Sequence, residues 1–563
     1  MRKCKKILII ILSVVLGLPL ALMAITILVG IFMYRTADFL QPETDLDLYD
    51  YALSVETDSL IRSDKGSLYI NKYGLIETRI AGSPLERGLV YGLMNKDLLK
   101  YQEDVFVNQI HEIIPSEWWV EFLHKVIIIF NKDMAKHIPK ELIEEVYAMS
   151  LSGTKDYDAY GSSYVRQLNY HAAHDIGHAM QQYMLVGCSS FATWGDESEN
   201  NELIVGRNFD FYVGDDFAKN KVILMMEPTS GYKFVSVSWP GMMGVLSGMN
   251  EKGLTVTINA AKGSIPTSSA MPISLLTRQI LQYASTIDEA YAIAQQYQTF
   301  VSESILVGSA KDGCAAIIEK TPEKISLFKD STSEASRIVC TNHYQSEEFA
   351  DDDYNKTNID NSDSPYRRKR LSELLEEKSP INQDDAVDIL RNRYGLGNSD
   401  IGLSNEKSLN QFIAHHSVVF QPMELRMWVS TSPWQLGEYV CYDLDEIFNK
   451  DINNHYSYAL EEYNISADSL SIKDEYVRVC RYREDYKRIT KSIKEGSILS
   501  QEFIDGFIAD NPNYFQVYNI LGDYALSIND VDKAVYYWKK SLTLEIARVE
   551  ERDEIIKKVE KYD

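Results

Sequence analysis

Short apolar runs separated by turn-forming residues dominate the chain after position 188, and this pattern constrains the fold more than any other feature. Apolar runs of a few residues, bounded by Gly, Pro, Asn and Asp, predict β-strands. The predicted strands cover residues 203–205, 222–226, 234–239, 254–259, 315–319, 338–341, 416–420 and 425–430. A substantial sheet is therefore expected in this part of the chain.

Helical patterns flank the predicted strands. Residues 82–92 predict a turn that leads into a helix, and helical patterns cover most of the chain from there to about 150, 164–184 and 272–298. Residues 67–80 are strand-like and interrupted by Gly74, whereas the polar, acidic segment 351–363 predicts a surface loop. Strands flanked by helices favour a layered α/β or α+β body.

Length and charge limit the classes of function. A chain of 563 residues is too long for one hydrophobic core, so two or more folding units are expected. Lys and Arg total 57 against 82 Asp and Glu, a net charge of −25. Because phosphate binding requires a basic face, this balance argues against a nucleic-acid partner.

The six cysteines are too sparse for a disulfide scaffold, and none forms a C-x-x-C pair. Most are interpreted as small buried residues. One disulfide is left open among Cys314, Cys340, Cys441 and Cys480.

Residues 7–34 contain no charged side chain, and a run of this length can span a bilayer as a helix. Basic residues precede the run and mostly acidic residues follow it, so the positive-inside rule places the N-terminus in the cytoplasm. A cleaved signal peptide is the alternative, but its apolar region is normally shorter. We therefore predict a single-pass membrane anchor with the body of the protein outside the cytoplasm.

Four short motifs follow one another along the predicted strands. They read GCSSF at 187–191, GRNFDF at 206–211, NEKGLTVTINA at 250–260 and TNH at 341–343. A lone cysteine after a glycine is usually an inert buried residue. The ordered set of four motifs is far more specific than the cysteine alone.

This ordered set resembles the choloylglycine hydrolase and penicillin acyltransferase group of N-terminal nucleophile hydrolases. It is most similar to the acyl-CoA:6-aminopenicillanic acid acyltransferase branch, peptidase family C45, over about residues 66–445. The resemblance implies an α+β fold, a four-layer αββα sandwich made as a precursor. It also implies that Cys188 attacks the carbonyl of Gly187, so that hydrolysis releases residues 1–187 and leaves Cys188 as a new N-terminus.

The resemblance implies roles for two charged residues beside Cys188. Asp210 matches the aspartate that holds the amine of the nucleophile, and a carboxylate there favours the ammonium form. Arg207 matches the neighbouring arginine, whose positive charge favours thiolate. The freed α-amine can then act as base for its own thiol, so no separate histidine is required. The alternative for Cys188 is a buried structural cysteine, and the alternative for Arg207 and Asp210 is a surface ion pair.

Three further residues match the family more distantly. Asn259 and Asn342 match asparagines that help bind the oxyanion, with a structural role as the alternative. Arg367 matches another family arginine, but the alignment is loose because Arg368 and Arg370 are close by. No cofactor is implied.

A competing interpretation is a zinc-dependent hydrolase. His171, His174 and His178 lie on one predicted helix, and His174-Asp175-Ile176-Gly177-His178 resembles H-E-x-x-H with Asp in place of Glu. The shorter Asp side chain would reach a metal-bound water poorly. No third ligand is evident, although His343, His415 and His416 are candidates.

The tail from about residue 465 is helical in pattern. Its Tyr518, Leu521, Gly522, Ala525, Ala534 and Trp538 resemble one tetratricopeptide repeat. An ordinary helical hairpin is the alternative. A protein partner at this tail, on a non-enzymatic membrane-tethered chain, is the third functional hypothesis.

The leading hypothesis is a self-cleaving cysteine amide hydrolase or acyltransferase. It acts on a small-molecule N-acyl amide, breaking a non-peptide C–N bond through a thioester on Cys188. The expected organisation is a transmembrane anchor at 7–34, an N-terminal part at 59–187, a catalytic body at 188–445 and a helical tail at 465–563. The sequence leaves the acyl group, and hydrolysis against transfer, undecided.

Overall fold

The computed structural model describes residues 28–44, 51–172, 175, 185–266, 268–330, 336–452 and 456–563. Within these ranges the chain forms two β-sheets, helices on both sides of them, and a helical tail. The predicted zinc ligands His174 and His178, and most of the predicted membrane span, lie outside the described residues.

Strands supply the centre of the molecule. They are β1 (Ser54–Thr57), β2 (Leu60–Ser63), β3 (Gly66–Ile70), β4 (Ile76–Gly82), β5 (Leu185–Val186), β6 (Ser189–Thr193), β7 (Ile204–Tyr212), β8 (Val222–Pro228), β9 (Phe234–Ser238), β10 (Ser247–Asn250), β11 (Leu254–Ala260), β12 (Glu303–Ser309), β13 (Cys314–Lys320), β14 (Ile325–Phe328), β15 (Arg337–Cys340), β16 (Ala414–Gln421), β17 (Arg426–Ser430) and β18 (Tyr439–Asp443).

The larger sheet has eleven strands in the order β1-β2-β3-β4-β8-β9-β10-β11-β12-β13-β14. Its neighbours pair antiparallel except β4 and β8, which are parallel. The smaller sheet has seven strands, in the order β15-β6-β7-β16-β17-β18 with β5 pairing to β7. The two segments nearest Cys188, β5 and β6, therefore both pair with β7.

Helices cover the sheets and build the tail. They are α1 (Pro84–Met94), α2 (Lys96–Ile113), α3 (Glu117–Phe130), α4 (Lys140–Ser150), α5 (Ser163–His171), α6 (Ile273–Tyr283), α7 (Ile287–Gln296), α8 (Asp353–Asn361), α9 (Ser364–Lys378), α10 (Gln383–Leu390), α11 (Leu444–Asn449), α12 (Leu470–Glu495), α13 (Gln501–Asp510), α14 (Phe515–Ser527), α15 (Val531–Ser541) and α16 (Val549–Tyr562).

Alternating side chains place the two sheets face to face. Successive residues of a strand point to opposite faces. On β8, Ile223 and Met225 belong to the apolar cluster shared with the smaller sheet, whereas Leu224 belongs to the cluster on the other face. On β16, Val418 faces the larger sheet and Val419 faces away from it. Both sheets are thus buried on two faces.

Helices bury the outer face of each sheet. Helices α1, α4 and α6 pack on the larger sheet, and α9 and α10 pack on the smaller one. The order from one side to the other is helices, large sheet, small sheet, helices. This is an α+β sandwich, as the motifs imply, and its layers follow from strands that are apolar on both faces.

The tail has its own apolar core. Helices α12 to α16 enclose a cluster that includes Phe507, Leu521 and Trp538. Helices α14 and α15 form an antiparallel hairpin in which Trp538 lies against Gly522. The tail is therefore a compact helical unit, and its likeness to a tetratricopeptide repeat stays a prediction.

One local prediction is corrected by the structure. Segment 351–363 contains helix α8, which begins because the Asp352 side chain accepts a hydrogen bond from the amide of Asn355. Residues 185–186, which follow the predicted helix at 164–184, form strand β5, because β7 extends past the residues that pair with β6. The cysteines in the described ranges, including the four for which a disulfide was left open, are free thiols.

The predicted membrane localisation is contradicted. A helix that crosses a bilayer needs about 20 mainly apolar residues. Among the residues that the structure describes, no helix combines that length with that apolar character. Residues 28–34 are the described part of the predicted 7–34 span.

Candidate active site

The predicted catalytic residues converge where the two sheets meet. Cys188 lies just before β6, and Arg207 and Asp210 lie on the adjacent strand β7. Asn259 lies on β11 of the other sheet. The hydroxyl of Ser190 donates to Oδ1 of Asn259 at 2.9 Å and so links the two sheets beside Cys188.

The Cys188 thiol is buried against a guanidinium. Its side chain has no exposed surface, and Nη2 of Arg207 donates to Sγ at 3.6 Å. Burial raises the pKa of the Cys188 thiol, and the positive charge of Arg207 opposes that rise. Arg207 is therefore placed to favour the thiolate.

Backbone carbonyls and an aromatic ring fix the guanidinium of Arg207. Nη2 also donates to the Ile258 carbonyl at 2.5 Å, and Nη1 donates to the Leu246 carbonyl at 3.3 Å. Cζ of Arg207 lies 4.2 Å from the ring centre of Phe209, within the range of a cation–π contact. Both terminal nitrogens of the guanidinium therefore donate hydrogen bonds, and these contacts hold Nη2 against the Cys188 sulfur.

A histidine pair completes the surroundings of Arg207. Nε2 of His416 lies 3.3 Å from Nη1 of Arg207 and 2.8 Å from Oγ of Ser247, to which Arg207 also donates. A guanidinium only donates, so Nε2 of His416 must accept. Burial lowers the pKa of His416 well below its usual range, so its ring is neutral with the proton on Nδ1. That proton is donated to Nδ1 of His415 at 2.9 Å.

Asp210 is fully buried, and neither of its side-chain oxygens has a hydrogen-bond partner within the described ranges. Burial raises the pKa of Asp210 to about 8, against the pull of Arg367 and Arg207. Its charge is close enough to raise the pKa of the Cys188 thiol. The surface ion pair considered for Arg207 and Asp210 is excluded, because both side chains have no exposed surface.

Arg367 contacts the nucleophile residue directly. Its Nη1 donates to the Cys188 carbonyl at 2.7 Å and to the Ser189 hydroxyl at 2.8 Å. Its Nε donates to Asp363 at 2.7 Å. Arg370 instead donates to Glu373 at 3.1 Å, away from Cys188. Of the three neighbouring arginines, the structure thus brings Arg367 to the nucleophile.

The two predicted asparagines are held by hydrogen bonds near Cys188. Asn342 accepts from Nη2 of Arg367 at 2.7 Å and donates to the Ala260 carbonyl at 2.8 Å. Asn259 donates to the Cys340 carbonyl at 3.1 Å. A carboxamide carries two N–H donors, so each contact occupies one of them. Their role at an oxyanion stays a prediction.

Gly187 is tightly enclosed. Its amide donates to the Asp210 carbonyl at 3.0 Å. A Cβ at this position would stand 2.8 Å from Nε2 of Gln411, so a larger residue would displace that side chain. The bond between Gly187 and Cys188 is therefore held against β7 on one side and Gln411 on the other.

The motif analysis missed Gln411 and Ser247 and considered His416 solely as a metal ligand. The alternation of β16, predicted over 416–420, was the available signal for His416. Successive residues of a strand point to opposite faces. Val419 points away from the interface between the sheets, so Val418 and His416, at even-numbered positions, point into it.

The zinc interpretation is not supported by the residues described. Nδ1 of His171 lies 2.8 Å from the Gln167 carbonyl, and its Nε2 accepts from the Met243 amide at 3.0 Å. Both ring nitrogens are therefore engaged. Nδ1 of His343 lies 2.7 Å from Oγ of Ser364. In the described part of the chain, no group of three or more His, Cys, Asp or Glu residues could hold a metal ion.

Comparison with known proteins supports the motif analysis. Residues 197–432 match the family model described as acyl-coenzyme A:6-aminopenicillanic acid acyl-transferase. The matched range begins just after Cys188 and contains the other predicted catalytic residues. The match confirms the predicted resemblance to this family.

Curated relatives are distant. The chain is 23% identical over 400 residues to an uncharacterized protein of Archaeoglobus fulgidus, covering 63% of this chain and 64% of that protein. It is 22% identical to protein dcd1B of Dictyostelium discoideum, covering 45% of this chain and 51% of that protein. The chain thus spans less than two thirds of the length of these relatives.

Two solved structures are also similar in part. The Caenorhabditis elegans N-acylethanolamine-hydrolyzing acid amidase ortholog is 16% identical with a TM-score of 0.31, covering 42% of this chain and 93% of that one. A mutant of the conjugated bile acid hydrolase from Clostridium perfringens is 12% identical with a TM-score of 0.32, covering 50% of this chain and 99% of that one.

Proposed function

We propose that this chain, whose residues 197–432 match the acyl-CoA:6-aminopenicillanic acid acyltransferase family, is a self-processed amide hydrolase or acyltransferase. Cys188 is its nucleophile, and an N-acyl amide is its substrate. The family description names an acyl group and an amine acceptor, so the bond made or broken is a non-peptide C–N amide bond.

Processing begins with attack of the Cys188 sulfur on the Gly187 carbonyl carbon. The C–N bond between the two residues breaks, the acyl group moves to sulfur, and the nitrogen takes up a proton as an amine. Water then hydrolyses the thioester, which leaves a carboxyl group on Gly187 and the thiol on Cys188. The amide of Gly187 is held on β7 and its α-carbon lies against Gln411, and this enclosure favours the reaction by limiting the motion of the bond that is cleaved.

One observation carries the proposal: the Cys188 thiol accepts a hydrogen bond from the guanidinium of Arg207, and the buried carboxyl of Asp210 is close enough to raise the pKa of that thiol. In the described ranges neither oxygen of that carboxyl accepts a hydrogen bond. A buried carboxylate is costly without a partner. Cleavage would supply one, because the new α-amine of Cys188 can become an ammonium beside Asp210.

In catalysis the α-amine takes the thiol proton and the thiolate attacks the substrate carbonyl. Collapse of the tetrahedral intermediate breaks the C–N bond, with the ammonium returning a proton to the leaving amine. Water or a second amine then attacks the thioester and regenerates the thiol. The second N–H groups of Asn259 and Asn342 are the proposed oxyanion donors, and Arg367 holds the backbone of Cys188 in place.

Intact-mass and N-terminal analysis of the purified protein tests this proposal. We expect the wild type to yield a fragment that begins at Cys188, and Cys188→Ala to remain one chain. Cys340→Ala is the matched control, because Cys340 is equally buried and pairs through β15 with the strand that follows Cys188. This control should be processed normally.

Activity on a panel of N-acyl amides follows the mass analysis. An active wild type with an intact bond between positions 187 and 188 would falsify the self-processing step. Processing of Cys188→Ala would exclude Cys188 as the nucleophile of cleavage. An uncut and inactive wild type would favour a non-enzymatic protein with an interaction surface on its tail.

A further inference from the structure

A cavity of about 490 Å³ lies between the tail and the catalytic body. Tail residues of α12 and the start of α14 line one side, and the end of β7 with the segment before β16 lines the other. Its volume is within the range of small-molecule sites, roughly 300–1,000 Å³. The tail is thus one wall of a site large enough for part of a substrate.

The cavity ends beside the bond that is processed. Gln411 lines the cavity, and its side-chain amide is the group that a Cβ on Gly187 would meet at 2.8 Å. Tyr212 also lines the cavity, and it pairs with Leu185 two residues before Gly187. Gln411 therefore lines the cavity and also lies against Gly187.

Most charges in the cavity wall are already paired. Arg483 contacts Asp215 at 3.3 Å and donates to the Phe412 carbonyl at 2.7 Å. Lys487 pairs with Glu484 at 3.1 Å, where both side chains are largely exposed. The opposite charges within each pair cancel, so these four side chains do not determine which charge a ligand carries.

Glu406 is the exception. Among the described residues it forms no ion pair within 4 Å, and its carboxyl oxygens accept from the Tyr514 hydroxyl at 3.3 and 3.4 Å. Arg548 attracts it at longer range, while Glu551 and Asp363 repel it. Burial raises the pKa of Glu406 to about 8.

Tyrosine rings line the same cavity as this acid. Tyr482 lies 6.0 Å from Tyr486 and 5.8 Å from Tyr514, measured between ring centres, and all three line the cavity. Aromatic faces attract cations within about 6 Å, and cages of such rings bind ammonium groups. A carboxyl group among tyrosines is a site for a positively charged amine.

We propose that this cavity binds the amine half of the substrate, and that this half carries a second, cationic amino group held by Glu406 among the tyrosine rings. The inference rests on the proposed function, which places an acyl–amine bond at Cys188. It gives the substrate class as N-acylated diamines or similar cationic amines. It also makes the tail part of the active site.

Paired substrates test the inference in the processed, full-length protein. Acetyl, phenylacetyl and decanoyl amides of 1,5-diaminopentane are compared with the same amides of 1-aminopentane, which lack the ammonium group. We expect kcat/KM to favour the cationic member about tenfold or more. Equal kcat/KM within every pair overturns the inference and leaves the proposed function standing.

Variants of the cavity test which side chains cause the preference for the cationic amides. Glu406→Gln should bring the ratio of kcat/KM values close to one, and Tyr486→Leu should lower it. Glu446→Gln is the matched control, since Glu446 is half-exposed, pairs with Lys450 and lies outside the cavity. A preference that survives in Glu406→Gln overturns the inference.

A binding measurement separates failure of the inference from failure of the proposed function. N-acetyl-1,5-diaminopentane and N-pentylacetamide are titrated into full-length Cys188→Ala by calorimetry, so that no catalysis is needed. We expect the cationic amide alone to bind, and Glu406→Gln in the same background to weaken it about tenfold. Absent or equal binding overturns the inference, whether or not the wild type hydrolyses amides.

Discussion

The buried carboxyl of Asp210 makes the stability of the uncut protein depend on pH. In the uncut protein its buried carboxyl has a pKa of about 8, raised mainly by burial. Its ordinary value is near 4. Between these two pH values the folded chain holds a proton that the unfolded chain has lost. Stability of the uncut protein therefore falls as pH rises through this window.

Replacing this carboxyl should remove that pH dependence. We predict that Asp210→Asn, made in the uncut Cys188→Ala background, is more stable than its parent at pH 8. The difference should shrink toward pH 4, at up to about 1.4 kcal/mol per pH unit. Urea unfolding across this range measures it. Asp553→Asn, on the exposed face of α16, should leave the slope unchanged. Equal slopes in the Asp210→Asn protein and its parent would contradict the argument.

His416 acts through another residue. Its Nε2 accepts from Arg207 and Ser247, and its Nδ1 is tied to His415, so the neutral ring fixes one arm of the guanidinium. The other arm then remains on the Cys188 sulfur. His416 is therefore a positioning residue for the arginine that favours the thiolate.

We predict that His416→Asn weakens this arrangement without removing the nucleophile. In the processed protein, alkylation of Cys188 by iodoacetamide should slow several-fold, on the order of the effect of one hydrogen bond to a charged group. Its pH midpoint should rise. His111→Asn, on α2, where the ring contacts the Tyr160 hydroxyl, should change neither value. An unchanged midpoint in His416→Asn would show that Arg207 needs no such support.

The sequence allowed one part of this site to be predicted and not the other. Cys188, Arg207 and Asp210 occupy two adjacent strands and the residue before one of them, so their short spacing survives as a motif. The contacts of Arg207 with Ser247 and His416 span 40 and 209 positions. The contact with His416 depends on the pairing of β7 with β16, and the contact with Ser247 depends on how the two sheets stack, neither of which a local pattern encodes. Gln411 was missed for the same reason.

At the scale of elements, short apolar runs between turn-forming residues were the reliable signal. Predicted runs such as 222–226 and 416–420 lie within β8 and β16, because both faces of these strands are apolar. Helix α8 was missed because its sequence, DYNKTNIDN, is polar, and one residue of it, Asn355, is buried. That residue donates to the Tyr344 and Phe349 carbonyls, a tertiary contact that holds the helix in place.

The hairpin of α14 and α15 depends on one close approach. A Cβ on Gly522 would stand 2.3 Å from Nε1 of Trp538, which also donates to Asp523 at 3.1 Å. Trp538 is fully buried in the tail core. The glycine therefore lets two helices meet around a large ring, as the small residue in the predicted repeat implies.

We predict that Gly522→Ala destabilises the tail by about 1–3 kcal/mol, because the added methyl group overpacks this contact. Gly506→Ala is the matched control, since Gly506 lies inside α13 and a methyl group added there would meet no atom within 4 Å. Alanine there should stabilise the tail by roughly 0.5–1 kcal/mol. Chemical denaturation followed by tryptophan fluorescence reports both. Similar signs for the two variants would refute the close-approach argument.

At the scale of the whole molecule, the tail is joined to the body at a defined seam. The Asn511 side chain exchanges two hydrogen bonds of 2.8 Å with the backbone of Leu403. Lys407 pairs with Glu545, and Arg393 pairs with Glu475. The seam holds the segment before β16, which carries Glu406 and Gln411, against α12 and α14. The cavity therefore keeps its shape only while the tail is docked on the body.

Loss of the Asn511 contacts should therefore affect both stability and substrate choice. Asn511 is 2% exposed, so Asn511→Ala leaves an N–H and a carbonyl of Leu403 buried without partners, at a cost of about 1–3 kcal/mol for each. We predict that the tail unfolds in a separate, earlier thermal transition, and that the preference for cationic amides falls with it. Asn513→Ala tests the specificity of this link, because Asn513 contacts Asp400 at an exposed position nearby. If the two alanine variants behave alike, the buried seam is not what holds the tail in place. If Asn511→Ala separates the transitions and keeps the preference, the cavity forms without the docked tail.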